Sequence, residues 1–387
     1  MVSTARAPTA VRGRTARVRR RGPVHAGCVA FFMALVGLSL LAGVAGGLWR
    51  LGIALPDVSH SGWIGRVAPI HAAMMICGFL GTVIGIERAV AIKHQAAWLA
   101  PLASGTAALC LLLGHQAAGA WLGAGASLAF LFVNLAVLRR QFAPHTVLLV
   151  LGAAAWLVGC LLFALGRDSG AVLPWWFGFL ILTIAAERLE MTRLMRHRKG
   201  AAASLHAVLL LLLAGAAASG AAPVGGGLVY GAALSLLALW LGIFDVARRT
   251  LFAQGISRYM AVCLLGGYGW LAIGGVAWAM TALGFAARDV ALHALGLGFI
   301  FSMMMGHAPV VLPAVARIKL LFGWVFYLPL AVLHFSLIVR LGLGSHDGAW
   351  RAAGAALNAV ALGSFALTVI GSSLAWRARH GGSRGSP

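Results

Sequence analysis

The sequence predicts an all-α, polytopic membrane fold of twelve transmembrane helices, on three observations. Mean hydropathy is +0.94, only 10% of the 387 residues are charged, and apolar windows of about 18 to 25 residues recur from end to end. No polar stretch between them is long enough for a soluble domain. Backbone polar groups find no water in hydrocarbon, so each window reads as a helix that satisfies its own hydrogen bonds.

The windows are 26–48, 68–91, 96–114, 118–138, 145–165, 171–190, 203–220, 224–244, 259–284, 290–315, 320–341 and 350–374. The first follows an Arg-rich, acid-free arm that resembles a transit peptide or secretory signal. Its length and the eleven windows after it make it an uncleaved signal anchor. The second closes on Glu87-Arg88 and Lys93, the fourth on Arg139-Arg140, the sixth on Glu187-Arg188, and the eighth on Arg248-Arg249. The tenth contains Pro309 and Pro313, which predict a kink. The chain thus divides into a basic arm (1–24) expected to be disordered, one transmembrane domain (25–376) and a basic tail (377–387).

The net charge of +22 would suggest nucleic acid in a soluble protein, but its distribution follows membrane topology. With the N-terminus inside, 24 of the 30 Lys and Arg fall on the inner side, leaving Arg50, Arg66, Arg167, Arg288, Arg340 and Arg351 in outer loops. That bias orients the chain with both termini cytoplasmic. Its partner is the lipid bilayer, with attraction to anionic lipid as a by-product. Cys28, Cys77, Cys110, Cys160 and Cys263 are scattered singly, without a CxxC, and read as apolar fillers. There is no Rossmann fingerprint, P-loop, CxxCH or nucleophile elbow, which disfavours nucleotide, flavin and covalent haem.

A repeat lies in every fourth window. Gly78-Phe79-Leu80, six residues, then Glu87-Arg88 has the spacing of Gly178-Phe179-Leu180, six residues, then Glu187-Arg188. A partial third copy, Gly298-Phe299-Ile300, leads after six residues to His307. The second, sixth and tenth windows are four apart, so the chain parses as three units of four helices.

Four histidines fall inside the windows, where an ionisable group is costly and usually functional. At a rise of about 1.5 Å per residue, His71 lies about 5 Å, His293 about 6 Å and His334 about 10 Å from the outer end of its helix. His307 lies about 15 Å from the inner end of the tenth window, and His293 and His307 share a helix face about 21 Å apart. Met304 is on that face too. His71, Met75, Gly78, Thr82 and Gly85 form a stripe on the second window, in which glycine admits a neighbouring backbone or a flat ligand. Haem between the second and tenth helices, held by His71 and His293 over small residues, would need this combination. Met303, Met304 and Met305 beside His307 are gap-fillers or soft ligands for copper or haem iron. His145 and His206 begin the fifth and seventh windows, where interface solvation accounts for them.

Glu87 and Glu187 are the acids well inside the windows, and each is expected to pair with another helix. A cross-pair of Glu87 with Arg188 would tie two units together, and a proton entry point is the functional alternative. The sites read from sequence are therefore His71, His293, His307, His334, Met75 and Met304 for a cofactor, His71, His293 and His307 for a metal, and Glu87, Arg88, Glu187 and Arg188 for structure or a proton path.

The segments His71-Ala-Ala-Met-Met-Ile-Cys-Gly-Phe-Leu-Gly-Thr and His293-Ala-Leu-Gly-Leu-Gly-Phe, with Gly306-His307 beyond, on a twelve-helix chain of this length, resemble the NnrS family. Members of that family are inner-membrane proteins that hold haem and copper and are linked to nitric oxide in denitrifying bacteria. The shared motifs are confined to the second and tenth windows. More distantly, the arrangement is similar to the catalytic subunit of haem-copper oxidases. It lacks the two close histidines of the tenth helix and the copper triad of that pattern, so an oxygen-reducing binuclear centre is not implied. The resemblance implies a bacterial inner-membrane haem protein, with copper as a second cofactor, that engages nitric oxide or performs redox or diatomic-gas chemistry. The reading from another class is a proton-coupled secondary transporter using the intramembrane His and Glu.

Overall fold

The computed structural model describes residues 23–53, 55, 62–191, 200–316 and 318–381. Among the described residues, twelve helices long and apolar enough to cross a membrane follow one another. They are α1 (Pro23–Trp49), α2 (Trp63–Ile92), α3 (Gln95–Leu112), α4 (Gln116–Arg140), α5 (Pro144–Ala164), α6 (Ser169–Met191), α7 (Ala201–Ser219), α8 (Pro223–Phe244), α9 (Ile256–Ala282), α10 (Arg288–Val315), α11 (Trp324–Ser345) and α12 (Gly348–Gly381). No strand occurs among the described residues. The protein is an all-α membrane protein, and the helices coincide with the apolar windows to within a few residues.

Three details depart from the sequence reading. α11 runs to Ser345, which takes Arg340 out of a loop and buries it at 8% exposure. α12 continues through Arg377 and Arg379 to Gly381, where a tail was expected from residue 377. His145 is buried at 5% exposure, not solvated at an interface. Most of the basic arm lies outside the described residues.

Sequential helices pack as neighbours, α3 on α4, α4 on α5, α5 on α6, α7 on α8, α8 on α9, α11 on α12, and α12 returns to α1. The centre belongs to α2, α6 and α10, which touch one another. Their apolar windows are 61%, 78% and 67% buried inside the protein, against at most 50% for any other span. These are the three helices marked by the Gly-Phe repeat. Glycine at the repeat position lets a neighbour close in: a Cβ on Gly78 would stand 2.8 Å from Ala108 Cβ. Phe79 and Phe301 stack across the centre with ring centroids 5.7 Å apart.

The end of the bundle carrying the Arg139-Arg140 and Arg248-Arg249 pairs is called the basic face, and the other end the far face. Among the described residues three segments have the wider π turn: Met74–Gly81 in α2, Ala294–Phe301 in α10 and Ile338–Gly342 in α11. π turns concentrate at functional sites because they re-aim side chains. The first two lie just after His71 and His293, and the third contains Arg340.

Candidate functional site

His71 follows a 3₁₀ turn, Ala68–Ile70, at the far-face end of α2. Its Nδ1 lies 2.6 Å from the Gly43 carbonyl of α1. A carbonyl only accepts, so Nδ1 carries the proton and Nε2 keeps its lone pair. His293, in the second turn of α10, has Nδ1 2.9 Å from Asp289 Oδ1 and 3.0 Å from the Asp289 carbonyl. Both partners again accept, which leaves Nε2 as the donor atom. This is the arrangement of metal-ligating histidines, whose other nitrogen is fixed by a carboxylate or a backbone carbonyl.

The two rings face each other with centroids 6.4 Å apart and planes 28° from parallel. Two imidazoles on opposite sides of one metal, each bonded at about 2.0–2.1 Å, have ring centres about 6 Å apart. The centroid separation of the pair is close to that distance. Among the described residues no three His, Cys, Asp or Glu side chains converge on a metal position. Two donors suit an ion that brings its remaining ligands with it, as haem iron does, rather than a four-ligand protein site.

Asp289 is itself held by Arg340, with Nε to Oδ2 at 3.1 Å and Nη2 to Oδ1 at 2.9 Å. Arg340 Nη1 donates to Asn358 Oδ1 of α12 at 3.3 Å, and Asn358 Nδ2 donates to Ser336 Oγ at 2.6 Å. The Arg340 backbone is pressed on α12, where a Cβ on Gly354 would stand 2.5 Å from Arg340 N. His293 is thus the end of a polar chain running through three helices.

Other expected ligands fall away from this pair. Trp270 Nε1 of α9 donates to His334 Nδ1 at 2.7 Å. An indole N–H only donates, so the proton of neutral His334 sits on Nε2 and no lone pair is left for a metal. Met75 packs its sulfur on α1, where a Cβ on Gly43 would stand 2.6 Å from Sδ. Met304 packs against the apolar core. The glycine groove below His71 is filled by protein: Gly78 faces Ala108 and Ser39, and Gly85 faces Pro101. Of the two roles open to those glycines, the close helix approach is the one realised.

A second polar cluster lies toward the basic face. Arg188 pairs with Asp245, Nε to Oδ2 at 2.8 Å and Nη2 to Oδ1 at 3.0 Å, both side chains nearly inaccessible. This replaces the expected Glu87–Arg188 cross-pair. Asp245 also accepts from Ala247 N at 2.7 Å, so it shapes the turn that ends α8 while it neutralises Arg188. Glu187 instead senses Arg88 of α2, and Glu87 senses Glu187, Arg88 and His307. His307 donates from Nδ1 to the Met303 carbonyl at 2.7 Å and belongs to this cluster, not to the histidine pair.

Asp289, Arg340, Asn358, Trp270 and Asp245 were not singled out from sequence. Asp289 carried a usable signal, since it stands four residues before His293 on the same helix face. The others depend on pairing between distant helices.

Nothing among curated proteins or solved structures matches the chain. A family described as a domain of unknown function, DUF8744, matches residues 29–374. The match spans nearly the whole helical bundle, and the chain belongs to the DUF8744 family.

Proposed function

We propose that this chain is a haem protein of the bacterial inner membrane, in which His71 and His293 hold one iron through Nε2. The observation that carries the reading is the facing imidazole pair, 6.4 Å between centroids, each ring with its Nδ1 on an acceptor. Haem supplies electron transfer and diatomic-gas binding when present. The resemblance of the His71 and His293 segments to the NnrS family favours nitric oxide or a related redox ligand. Copper is the second cofactor implied by that resemblance, and no residue set here is assigned to it.

The protein's own contribution is orientation. Asp289 fixes the tautomer of His293 and raises its strength as a ligand, and Arg340 fixes Asp289. His71 is oriented by one backbone carbonyl, so it is the more replaceable of the two ligands. The excess of Lys and Arg at the basic face favours a cytoplasmic side for that face, and on this reading the histidine pair lies toward the outer side of the membrane.

The test is the visible absorption and iron content of detergent-purified protein from haem-sufficient cells. A Soret band with iron near one equivalent supports the proposal. Protein with neither chromophore nor metal would sink it and leave the proton-coupled transporter in front.

A further inference from the structure

Two cysteine sulfurs from different helices meet inside the bundle. Cys77 on α2 and Cys160 on α5 are free thiols whose Sγ atoms lie 3.9 Å apart. Cys160 is 2% exposed. Cys77 belongs to the π segment Met74–Gly81, a wider turn of the kind that re-aims side chains. Ser104 Oγ of α3 holds that turn by donating to the Cys77 carbonyl at 2.7 Å. Both cysteines line a cavity among α2, α3, α4, α5 and α6, and among the described residues its wall contains no His, Asp or Glu.

Two indoles accompany the two sulfurs. Trp156 Nε1 donates to Cys77 Sγ at 3.5 Å. Its ring is 0% exposed, stacked on Phe179 with centroids 4.7 Å apart and in edge contact with Phe130, so the N–H is held in place. Trp176 lines the same cavity at 3% exposure, and its Nε1 is buried with no hydrogen-bond partner. A Cβ on Gly159, the residue before Cys160, would stand 2.9 Å from that nitrogen. A buried N–H without an acceptor is costly and calls for an explanation at the site. A thiol sulfur is a weak acceptor. A thiolate carries full charge and accepts strongly, and N–H bonds to sulfur tune thiolate–metal centres.

The donor set selects the ion. Two thiolates on one tetrahedral metal, each at about 2.3 Å, have sulfurs about 3.8 Å apart, close to the separation of Cys77 and Cys160. Among the described residues no third His, Cys, Asp or Glu joins them, so an ion that demands four protein ligands, as structural zinc does, is poorly matched. Ser104 has given its proton to a carbonyl, and the site offers sulfur alone. Sulfur donors select soft ions, copper(I) among them, and closed-shell monovalent ions accept two or three ligands.

We propose that Cys77 and Cys160 bind one soft monovalent cation of the copper(I) class. The step is an exchange of two thiol protons for the cation: two S–H bonds break, two metal–sulfur bonds form, the protons leave to solvent, and no electron is transferred. The remaining negative charge of the sulfur pair is met by the indole N–H groups of Trp156 and Trp176. The site is separate from the histidine pair and stands whether or not that pair holds haem.

The test is copper(I) retention by the full chain, purified in detergent under reducing, anaerobic conditions and titrated against bicinchoninate as the competing chelator. The expected result is one equivalent retained by the wild type and by Cys110→Ser/Cys263→Ser, with a sulfur-only first shell in copper X-ray absorption. That equivalent is lost in Cys77→Ser and in Cys160→Ser. No retention by the wild type, a first shell containing nitrogen, or unchanged retention in Cys77→Ser and Cys160→Ser overturns the proposal. The wild-type titration and its X-ray absorption decide the question if the Cys77 and Cys160 variants do not fold. His71→Ala/His293→Ala protein is expected to retain the same equivalent, so failure of the haem reading and failure of this one are separable.

Discussion

The Asp289 carboxylate meets the Arg340 guanidinium through two hydrogen bonds, of 3.1 and 2.9 Å. The oxygen that accepts the shorter one also lies 2.9 Å from His293 Nδ1. A residue of α11 therefore sets the orientation of a histidine on α10 without touching it. The planar fork of arginine suits this two-point contact, and lysine would supply only one of the two bonds.

Arg340→Met is predicted to weaken haem binding without abolishing it. Loss of a ligand's supporting partner typically costs about 10- to 100-fold in metal affinity. The haem dissociation rate should rise accordingly, with Arg340→Lys between the two. An unchanged rate in Arg340→Met contradicts the role given to Arg340.

The Arg188–Asp245 pair is the most deeply buried ion pair among the described residues, with side chains 2% and 1% exposed. Removing one partner strands a charge, so Arg188→Met should destabilise the protein by about 3–5 kcal/mol. The double variant Arg188→Met/Asp245→Leu should recover much of that, because replacing both partners leaves no uncompensated charge. Denaturant unfolding of the two variants measures the difference. Equal losses would show that Arg188 is not stabilised chiefly by Asp245.

His334 offers a control. Its lone pair accepts from Trp270, so His334→Ala is expected to retain haem at wild-type stoichiometry. Loss of the chromophore in His334→Ala, in protein that elutes as the wild type does, would place His334 back among the ligands.

Gly47 of α1 is where the His71 ring meets a neighbouring backbone. A Cβ there would stand 2.9 Å from His71 Cε1, whereas a Cβ on Gly37 of the same helix meets nothing within 4 Å. Gly47→Val should displace the ring and lower haem occupancy several-fold, while Gly37→Val should leave it unchanged. Equal occupancies in the two variants would count against a ligand role for His71.

Much of the fold was legible because membrane helices announce themselves by length and hydropathy, which belong to single segments. The Gly-Phe spacing singled out α2, α6 and α10, but their interior position came only with the structure. His71 and His293 could be matched by depth, because both stand a few residues inside helices that start at the same face. What failed needed contacts between helices. Arg340 read as a loop residue because a charge near a window's end is normally solvated, and only Asp289 across the interface makes its burial tolerable. His334 resembled a ligand until the indole N–H of Trp270, 64 positions away, fixed its tautomer. The glycines under His71 could have met a ligand or a helix, and Ala108, Ser39 and Pro101 decide for the helix.

The central claim is that His71 and His293 share one haem iron. Reduced-minus-oxidised visible spectra of the purified wild type, His71→Ala and His293→Ala, with iron quantified in each, test it most directly. The account predicts a Soret band and iron in the wild type, no stable chromophore in His293→Ala, and loss or a marked shift of the band in His71→Ala. A wild-type spectrum that persists unaltered in both variants would contradict it.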